Sequence, residues 1–501
     1  MVMTARGYHE AVAHRRGRLS GLGIDWTNQP VPFKTYGGLS CVSLSRQAAL
    51  PDVSLWDVLG AVGVGAMPGI DALSAVLFHA AGLTRTGVHK GGEFFYRACP
   101  SAGALYPCEV YMAWPGGLGL ETGVYHFDVA RHGLTLLRTG FPSPAGLGLP
   151  GRSALVGEAV LFVSAIFYRS AWKYRARAYR YLNLDAGHLC EGLALGLGAF
   201  GVAYRVELDF DDAAVSDLLG LDPEREGCLC AVRFRASQDS PLPLAAPGPL
   251  PKDAWQASRC AASDPTPLEV RAVHGACSHV PEHETAMPAL AQSRLGSGLV
   301  WQDLSHLHGP SPRMSLFEAM SARRSRRAFV PVTLPRGTMS RVLSCLARPL
   351  YPGGAHPAEY ACAVGVVAAQ EAQAQPGFSL LDRVSVRTGL RRDGDMRSVM
   401  ASVCLDQLWM REAAMQVVFC ADLPEVEAHL GARGYRAALQ GAGRLGHRLY
   451  LAAESLGLGA CGVGAFFDGE AVETLGLPEG TGMLYAVAAG ASRGSGSHVH
   501  G

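Results

Sequence analysis

Residues 102–109 read AGALYPCE and run into a strand-like apolar stretch, and residues 352–359 read PGGAHPAE and run into a similar one. Three further pairs of segments match in the same order, at offsets that stay between about 250 and 256 residues: 158–163 with 412–417, 178–180 with 434–436, and 186–187 with 442–443. A repeat at a near-constant offset indicates a duplicated structural unit.

Each repeat places a Gly/Pro-rich turn and apolar strands before a long apolar helix. Runs such as 160–166 and 483–489 are continuous apolar stretches that predict buried strands, and 188–197 and 445–456 predict helices that open at the Ala-Gly pairs. Mixed helices and strands predict an α+β fold. Two such blocks with matching apolar faces predict an internal pseudo-dimer.

The composition along the chain predicts the domain boundaries. Residues 237–314 are rich in Pro, Ala, Ser and His and predict a connector with a short helix near 284–295. This leaves a first domain at 1–236 and a second at 315–492. The low-complexity tail 493–501 is expected to be disordered.

Charge and hydropathy narrow the class of protein. The formal net charge is +1, which gives no reason to expect a nucleic-acid partner. No apolar run is long enough to span a membrane, and no secretory signal precedes the first block. The 13 cysteines show no metal-ligand spacing, so no metal is expected. We therefore expect a cytoplasmic protein with reduced thiols.

Two short segments have the composition of anion- or cofactor-binding elements. Residues 323–327 read RRSRR, and four guanidinium groups around a hydroxyl suit a phosphate, although a solvated basic face is the alternative. Residues 100–107 read PSAGALYP, whose small side chains let backbone amides approach a ligand. An ordinary loop before a strand is the alternative there.

Two further segments follow predicted regular elements. The Gly-rich stretch 457–466 follows the second long helix and offers backbone amides to a planar ring, or else simply ends that helix at Gly457. The stretch 170–180 is a basic and aromatic cluster that contains Lys173 and Tyr174, with a solvated loop as the alternative. The second block has no equivalent Lys-Tyr pair.

The second block resembles the nitroreductase superfamily in three places: RRSRRAF at 323–329, GLGACGVGAFFD at 457–468, and AGASR at 489–493. The resemblance implies that FMN is the cofactor. It also implies a role for each segment in holding FMN. The phosphate would be bound by Arg323, Arg324, Ser325, Arg326 and Arg327, the ring would be flanked by Val463, Gly464 and Ala465, and Arg493 would add a phosphate contact.

The first block is similar to the azoline dehydrogenases of that superfamily. The resemblance rests on PSAGALYP, the Lys-Tyr pair, RAYRY at 177–181, DAGH at 185–188, and the lead-in IDWTNQP and FKTY at 24–36. It implies oxidation of thiazoline or oxazoline rings in a peptide or peptide-like substrate, free or carrier-bound, with Lys173 or Tyr174 as the base or proton relay. The turn residues implied to lie at the flavin are Pro100, Ser101, Ala102, Gly103 and Leu105.

The two blocks carry complementary motifs. The first has PSAGALYP but lacks RRSxR, and the second has RRSRR but GGAHP in place of PSAGALYP. In the nitroreductases that this chain resembles, one subunit supplies the phosphate clamp and its partner supplies the PSxG turn. The resemblance therefore implies one complete FMN site per chain and an empty mirror-related site, while further homo-oligomerisation stays open.

Two other functions remain open at this point. One is an NAD(P)H-dependent flavin reductase or nitroreductase with a small substrate. The other is a non-catalytic scaffold that binds a peptide or a partner protein. The complementary motifs favour an enzyme over a scaffold.

Overall fold

The computed structural model describes residues 4–18, 23–89, 92–149, 157–237, 245–278, 285–304, 309–352, 356–372 and 374–493. The chain forms two compact units, which we describe separately. Unit 1 contains residues 23–52 and 61–280, and unit 2 contains residues 4–22, 53–60 and 281–501. Most of the predicted tail lies outside the described residues.

Unit 1 is built on a seven-stranded antiparallel sheet with the order β1-β6-β5-β4-β7-β9-β8, and β2 and β3 form a separate hairpin. Apolar side chains run along the central strands, which are buried at every position except Glu158 at the start of β7. The strands are β1 Cys41–Ser43, β2 Leu83–His89, β3 Gly92–Arg97, β4 Cys108–Trp114, β5 Gly123–Asp128, β6 Gly133–Thr139, β7 Glu158–Ile166, β8 Tyr204–Glu207 and β9 Glu226–Arg235.

Unit 2 contains a second seven-stranded sheet, with the order β10-β13-β12-β11-β14-β16-β15. Its order reproduces that of the first sheet strand for strand. The strands are β10 Trp301–Asp303, β11 Ala363–Ala368, β12 Gly377–Asp382, β13 Arg387–Asp393, β14 Met415–Asp422, β15 Gly459–Val463 and β16 Thr481–Gly490.

The duplication extends to the register of the strands. Trp114 pairs with Gly123 as Ala368 pairs with Gly377, and the β-bulge at Val124/Tyr125 recurs at Phe378/Ser379, each 254 residues further along (368−114 and 378−124). The bulge of β7 recurs in β14 as well. The predicted repeat is therefore confirmed. The offset between equivalent strand residues is 254, which is four residues more than the offset of the predicted match between 102–109 and 352–359.

Helices cover both sheets. The predicted strands at 160–166 and 483–489 are confirmed. The helix before the RRSRR segment begins after Ser315, which caps it. The helices are α1 Ala5–Ala11, α2 Leu55–Gly60, α3 Ile70–Ala81, α4 Phe167–Tyr174, α5 Ala178–Ala199, α6 Asp212–Leu219, α7 Leu268–Ser278, α8 Leu316–Ala322, α9 Thr338–Ala347, α10 Arg397–Val403, α11 Leu423–Leu430, α12 Arg433–Ser455 and α13 Asp468–Leu475.

The two long helices begin earlier than the sequence predicts. We predicted that they open at the Ala-Gly pairs, but these glycines lie inside α5 and α12, more than two turns from the first residue. Glycine weakens a helix without ending it, and both helices are buried over nearly their whole length, so packing outweighs local propensity. Gly457 has a φ of 74° just after α12, as the helix-ending alternative predicted.

The segment predicted as a connector contains regular structure. The α-helix lies at Leu268–Ser278, whereas the predicted helical region near 284–295 contains short 3-10 turns. The strand β10 also belongs to this segment and pairs with β13. Scattered apolar residues with weak periodicity concealed both elements, because each is short and depends on packing against the rest of its unit.

Four cysteines in apolar stretches, Cys190, Cys345, Cys362 and Cys420, are buried and carry reduced thiols. Within the described ranges, no cluster of three His, Cys, Asp or Glu side chains has an arrangement suited to a metal ion. No helix in the same ranges combines the length and the apolar character needed to cross a bilayer.

Candidate functional site

The PSAGALYP segment of unit 1 forms a tight turn immediately before β4. Residues 102–104 make one 3-10 turn, and Gly103, Ala104 and Tyr106 have positive φ values of 63°, 55° and 46°. A left-handed conformation is strained for residues other than glycine, so two such residues in one turn indicate that surrounding contacts hold it. The small side chains leave Gly103 and Ala104 exposed and Ala102 half-buried.

Asp185 of α5 holds this turn from the protein interior. Its carboxylate accepts hydrogen bonds from the Ser101 hydroxyl and from the backbone N–H of Ala102, the latter at 3.2 Å. The Ser101 oxygen also accepts from the N–H of Tyr106 at 2.9 Å. Burial raises the pKa of Asp185 to about 7, and the two donors oppose this rise. In the sequence Asp185 stands out only as part of DAGH, and we predicted no role for it.

Lys173 and Tyr174 lie beside the same turn. A Cβ atom placed on Gly103 would stand 2.8 Å from the Tyr174 hydroxyl and 3.0 Å from Lys173 Nζ. The Tyr174 ring stacks on the ring of Tyr181, with centroids 4.1 Å apart. Lys173 is exposed and Tyr174 is half-buried at the end of α4. The absent side chain of Gly103 therefore lets this pair lie against the turn.

A buried ionic network joins α4 to the strand that follows the turn. Arg169 of α4 donates to the carboxylate of Glu109 in β4 and to the carbonyl oxygen of Tyr106 at 3.3 Å. His126 lies 3.0 Å from the other oxygen of Glu109. The guanidinium of Arg169 holds the pKa of Glu109 well below its usual range despite burial. The solvated-loop alternative for 170–180 is wrong, because these residues form helices and Arg177 and Arg180 are buried.

In unit 2, the RRSRR segment lies along the edge strand β15. Ser325 forms a parallel bridge with Ala460, and the N–H of Arg326 donates to the carbonyl oxygen of Ala460 at 2.9 Å. The Ser325 hydroxyl lies 3.2 Å from the hydroxyl of Tyr450, which also accepts the N–H of Gly462 at 2.6 Å. Ser325 is an exposed residue, although the contact of its hydroxyl with Tyr450 is part-buried.

The arginines of this segment have different surroundings. Arg326 pairs with Glu454 at 3.2 Å, and Arg324 donates to the carbonyl oxygen of Ser321 at 2.9 Å. Arg323 is buried, with its guanidinium carbon 5.5 Å from the centre of the Tyr450 ring. The guanidinium of Arg327 lies over the ring of Trp409, and this residue is exposed.

The late segments of unit 2 meet this cluster. The N–H of Arg493 donates to the carbonyl oxygen of Ala328 at 2.9 Å, and Arg493 is exposed. Val463 is the last residue of β15, and Gly464 and Ala465 follow it as half-buried residues. The structure therefore brings together the RRSRR segment, the Gly-rich stretch and Arg493, as it brings together PSAGALYP and the Lys-Tyr pair in unit 1.

The donor set in unit 2 fits the phosphate of FMN. The four arginines of RRSRR and the hydroxyl of Ser325 lie along β15, the backbone of Arg493 joins this segment at Ala328, and Glu454 offsets one of the positive charges. A phosphate takes bidentate bonds from guanidinium groups. The residues that would hold it are Ser325 and the arginines not paired with Glu454, chiefly the exposed Arg327.

A comparison with family models agrees with this fold. The model of the nitroreductase family matches residues 151–234 and 320–491, which fall in the two repeated blocks and together make up half of the chain. The chain belongs to the nitroreductase family.

The chain is also similar to individual proteins. The chain is 31% identical to the trifolitoxin-processing protein TfxB of Rhizobium leguminosarum over 32% of its length, and 29% identical to the microcin B17-processing protein McbC of Escherichia coli over 25%. It spans about half the length of each, 46% and 49%. A solved structure from Anabaena variabilis, described as a candidate nitroreductase, matches 98% of this chain and 99% of its own with 25% identity and a TM-score of 0.73.

Asp185→Asn is expected to remove one component of the pH dependence of stability. Folding raises the pKa of this carboxyl. Its contribution to stability is therefore complete when the pH is below the pKa of the unfolded chain, and it is lost as the pH rises through about 7. A shift from 3.8 to about 7 corresponds to roughly 4 kcal/mol. The unfolding free energy of the wild type should therefore fall more steeply between pH 4 and pH 7 than that of the variant, as denaturant titrations would measure. Equal slopes for the wild type and the variant would contradict the raised pKa of Asp185.

Proposed function

We propose that the chain is an FMN-dependent dehydrogenase that oxidises thiazoline or oxazoline rings in a peptide or peptide-like intermediate of natural-product biosynthesis. The observation that carries the proposal is the position of Lys173 and Tyr174, whose polar ends lie about 3 Å from where a Cβ atom on Gly103 of the PSAGALYP turn would stand. An amine and a phenol beside a turn of this type suit proton transfer at a bound ring. The names of TfxB and McbC, which describe processing of trifolitoxin and microcin B17, support the substrate class.

The chemistry divides between the protein and its cofactor. Bound FMN supplies a two-electron acceptor for the hydride that the azoline ring loses on becoming aromatic. Lys173 or Tyr174 takes the accompanying proton from the ring carbon. Asp185 and Ser101 hold the turn on which the pair depends, and Arg169 holds α4 against the same turn.

One FMN per chain remains our prediction from the motifs. The cluster around Ser325 supports a phosphate site in unit 2, and the PSAGALYP turn belongs to unit 1.

The experiment that tests this function compares two reductants under anaerobic conditions. A thiazoline-containing peptide should bleach the visible absorbance of the flavin and yield the thiazole, whereas NADPH should reduce the flavin slowly. Rapid reduction by NADPH without any reaction of the thiazoline peptide would instead support a flavin reductase. A purified protein that retains no flavin would favour a non-catalytic scaffold.

A further inference from the structure

A large open cavity lies on one face of the second sheet, away from the arginine cluster. Its volume is about 1040 Å³, and its floor is formed by strands β11, β12 and β13. The arginine cluster lies at β15, at the opposite edge of the sheet from β10, which forms part of the cavity wall. The residues of the floor are Val366, Ala368, Ser379, Thr388 and Leu390.

The internal repeat explains why this cavity exists. Ala368 pairs with Gly377 as Trp114 pairs with Gly123 in unit 1, and Ser379 pairs with Leu390 as Tyr125 pairs with Leu136. Trp114 and Tyr125 are 0% and 1% exposed, so aromatic side chains fill these positions in unit 1. Replacement of a large by a small side chain leaves space wherever the surroundings do not collapse.

The hydrogen bonds of Trp114 and Tyr125 in unit 1 indicate which ligand groups suit the cavity of unit 2. The indole N–H of Trp114 donates to the carbonyl oxygen of Gly117 at 3.1 Å, and the hydroxyl of Tyr125 donates to that of Glu121 at 2.6 Å. Both acceptors lie in the β4–β5 loop. The equivalent β11–β12 loop of unit 2 borders the cavity with Gln370, Ala372, Ala374 and Gln375. A floor of three apolar and two hydroxyl-bearing side chains, with further polar groups at one rim, suits a ligand that has both apolar and polar parts.

The charged side chain that lines the cavity is positive. Arg336 lines the cavity and is exposed, and the described lining contains no aspartate or glutamate. A carboxylate near the aromatic ring of a ligand would therefore meet a positive charge. The volume is at the upper end of the range for small-molecule sites and exceeds what a single aromatic side chain needs.

We propose that this cavity binds an aromatic residue of a peptide, with a neighbouring carboxylate directed to Arg336. The proposal rests on the proposed function in that the peptide is the substrate class named there. The cavity would serve as an anchoring site for the peptide, separate from the arginine cluster of the same unit.

The test uses the whole flavin-loaded chain and N-acetyl-L-tryptophan as the probe, with calorimetry as the readout. The wild type should bind with a dissociation constant of roughly 0.1–1 mM, and the carboxamide form of the probe should bind more weakly. Ala368→Trp gives unit 2 the side chain that Trp114 has at the equivalent position of unit 1. Because this side chain would occupy the cavity, the variant should bind the probe about tenfold or more weakly. Ser379→Tyr provides a second filled variant in case the first does not fold. Val399→Trp, which adds an indole at an exposed position of α10, should bind as the wild type does.

Three results would overturn the proposal. The first is that the wild type does not bind the probe at 10 mM, which is roughly ten times the upper bound of the expected dissociation constant. The second is that both filled variants bind the probe as the wild type does. The third is that the wild type binds N-acetyl-L-leucine with the same affinity as the probe. Since the assay requires no turnover, failure of thiazoline oxidation with intact probe binding would refute the proposed reaction and leave the binding site in place.

Discussion

Lys173→Ala and Tyr174→Phe are each expected to keep FMN and the native fold yet to lose most of the substrate-dependent reduction of the flavin. Removal of a positioned general base costs about 10²–10⁴-fold in rate. Both side chains lie against Gly103, and Lys173 is exposed, so its truncation leaves no buried cavity. The measurement is single-turnover flavin reduction by a thiazoline peptide in a stopped-flow instrument.

The matched control is Lys252→Ala, because Lys252 is an exposed lysine elsewhere in unit 1. It should react at the rate of the wild type. If both Lys173→Ala and Tyr174→Phe also react at that rate, neither side chain transfers the proton, and the result would favour a generic flavin reductase over azoline oxidation. A loss confined to one variant would identify which of the two groups takes the proton.

Arg327→Ala is expected to weaken the retention of FMN by roughly 10- to 150-fold, since a hydrogen bond to a charged group contributes about 1.5–3 kcal/mol. Arg327 is exposed beside Ser325, whereas Arg326 is already paired with Glu454. The variant should fold normally because the ring of Trp409 packs on Phe329 independently of the arginine. Flavin fluorescence after stepwise dilution gives the dissociation constant.

The control for this variant is Arg271→Ala, which removes a half-buried arginine paired with Glu224 in unit 1 and should leave flavin affinity unchanged. Full retention of FMN by Arg327→Ala on extensive dilution would show that the phosphate is bound elsewhere. Exposure makes Arg327 a sharper test than Arg323, because loss of the buried Arg323 would also disturb its packing on Tyr450.

Much of the fold was predictable because its determinants are local or repeated. Continuous apolar runs identify β7 and β16, and the near-constant offset between similar segments identifies the duplication. The exact ladder was not predictable. Bulges at Val124 and Phe378 shift the pairing, and the sequence alone does not mark where an extra residue enters a strand.

The candidate site was predictable only where neighbouring residues form a motif. RRSRR, PSAGALYP and the Lys-Tyr pair each stand out in the sequence, but Asp185 is separated from Ser101 by 84 residues and meets it only through the packing of α5. The cavity of unit 2 was missed for a similar reason. Ala368 and Ser379 are ordinary strand residues, and they become notable only when the register aligns them with Trp114 and Tyr125.

The flavin content of the unmodified chain tests the central claim most directly. The sequence contains one RRSxR segment, in unit 2, and one PSAGALYP, in unit 1, so we expect one complete set of FMN contacts per chain. Flavin released by heat, identified as FMN and quantified against protein, should give a ratio near one. A ratio near two would show that the mirror-related site also binds FMN and would contradict the complementary arrangement of the motifs, and a chain reconstituted with excess FMN that binds none would contradict the flavin site altogether.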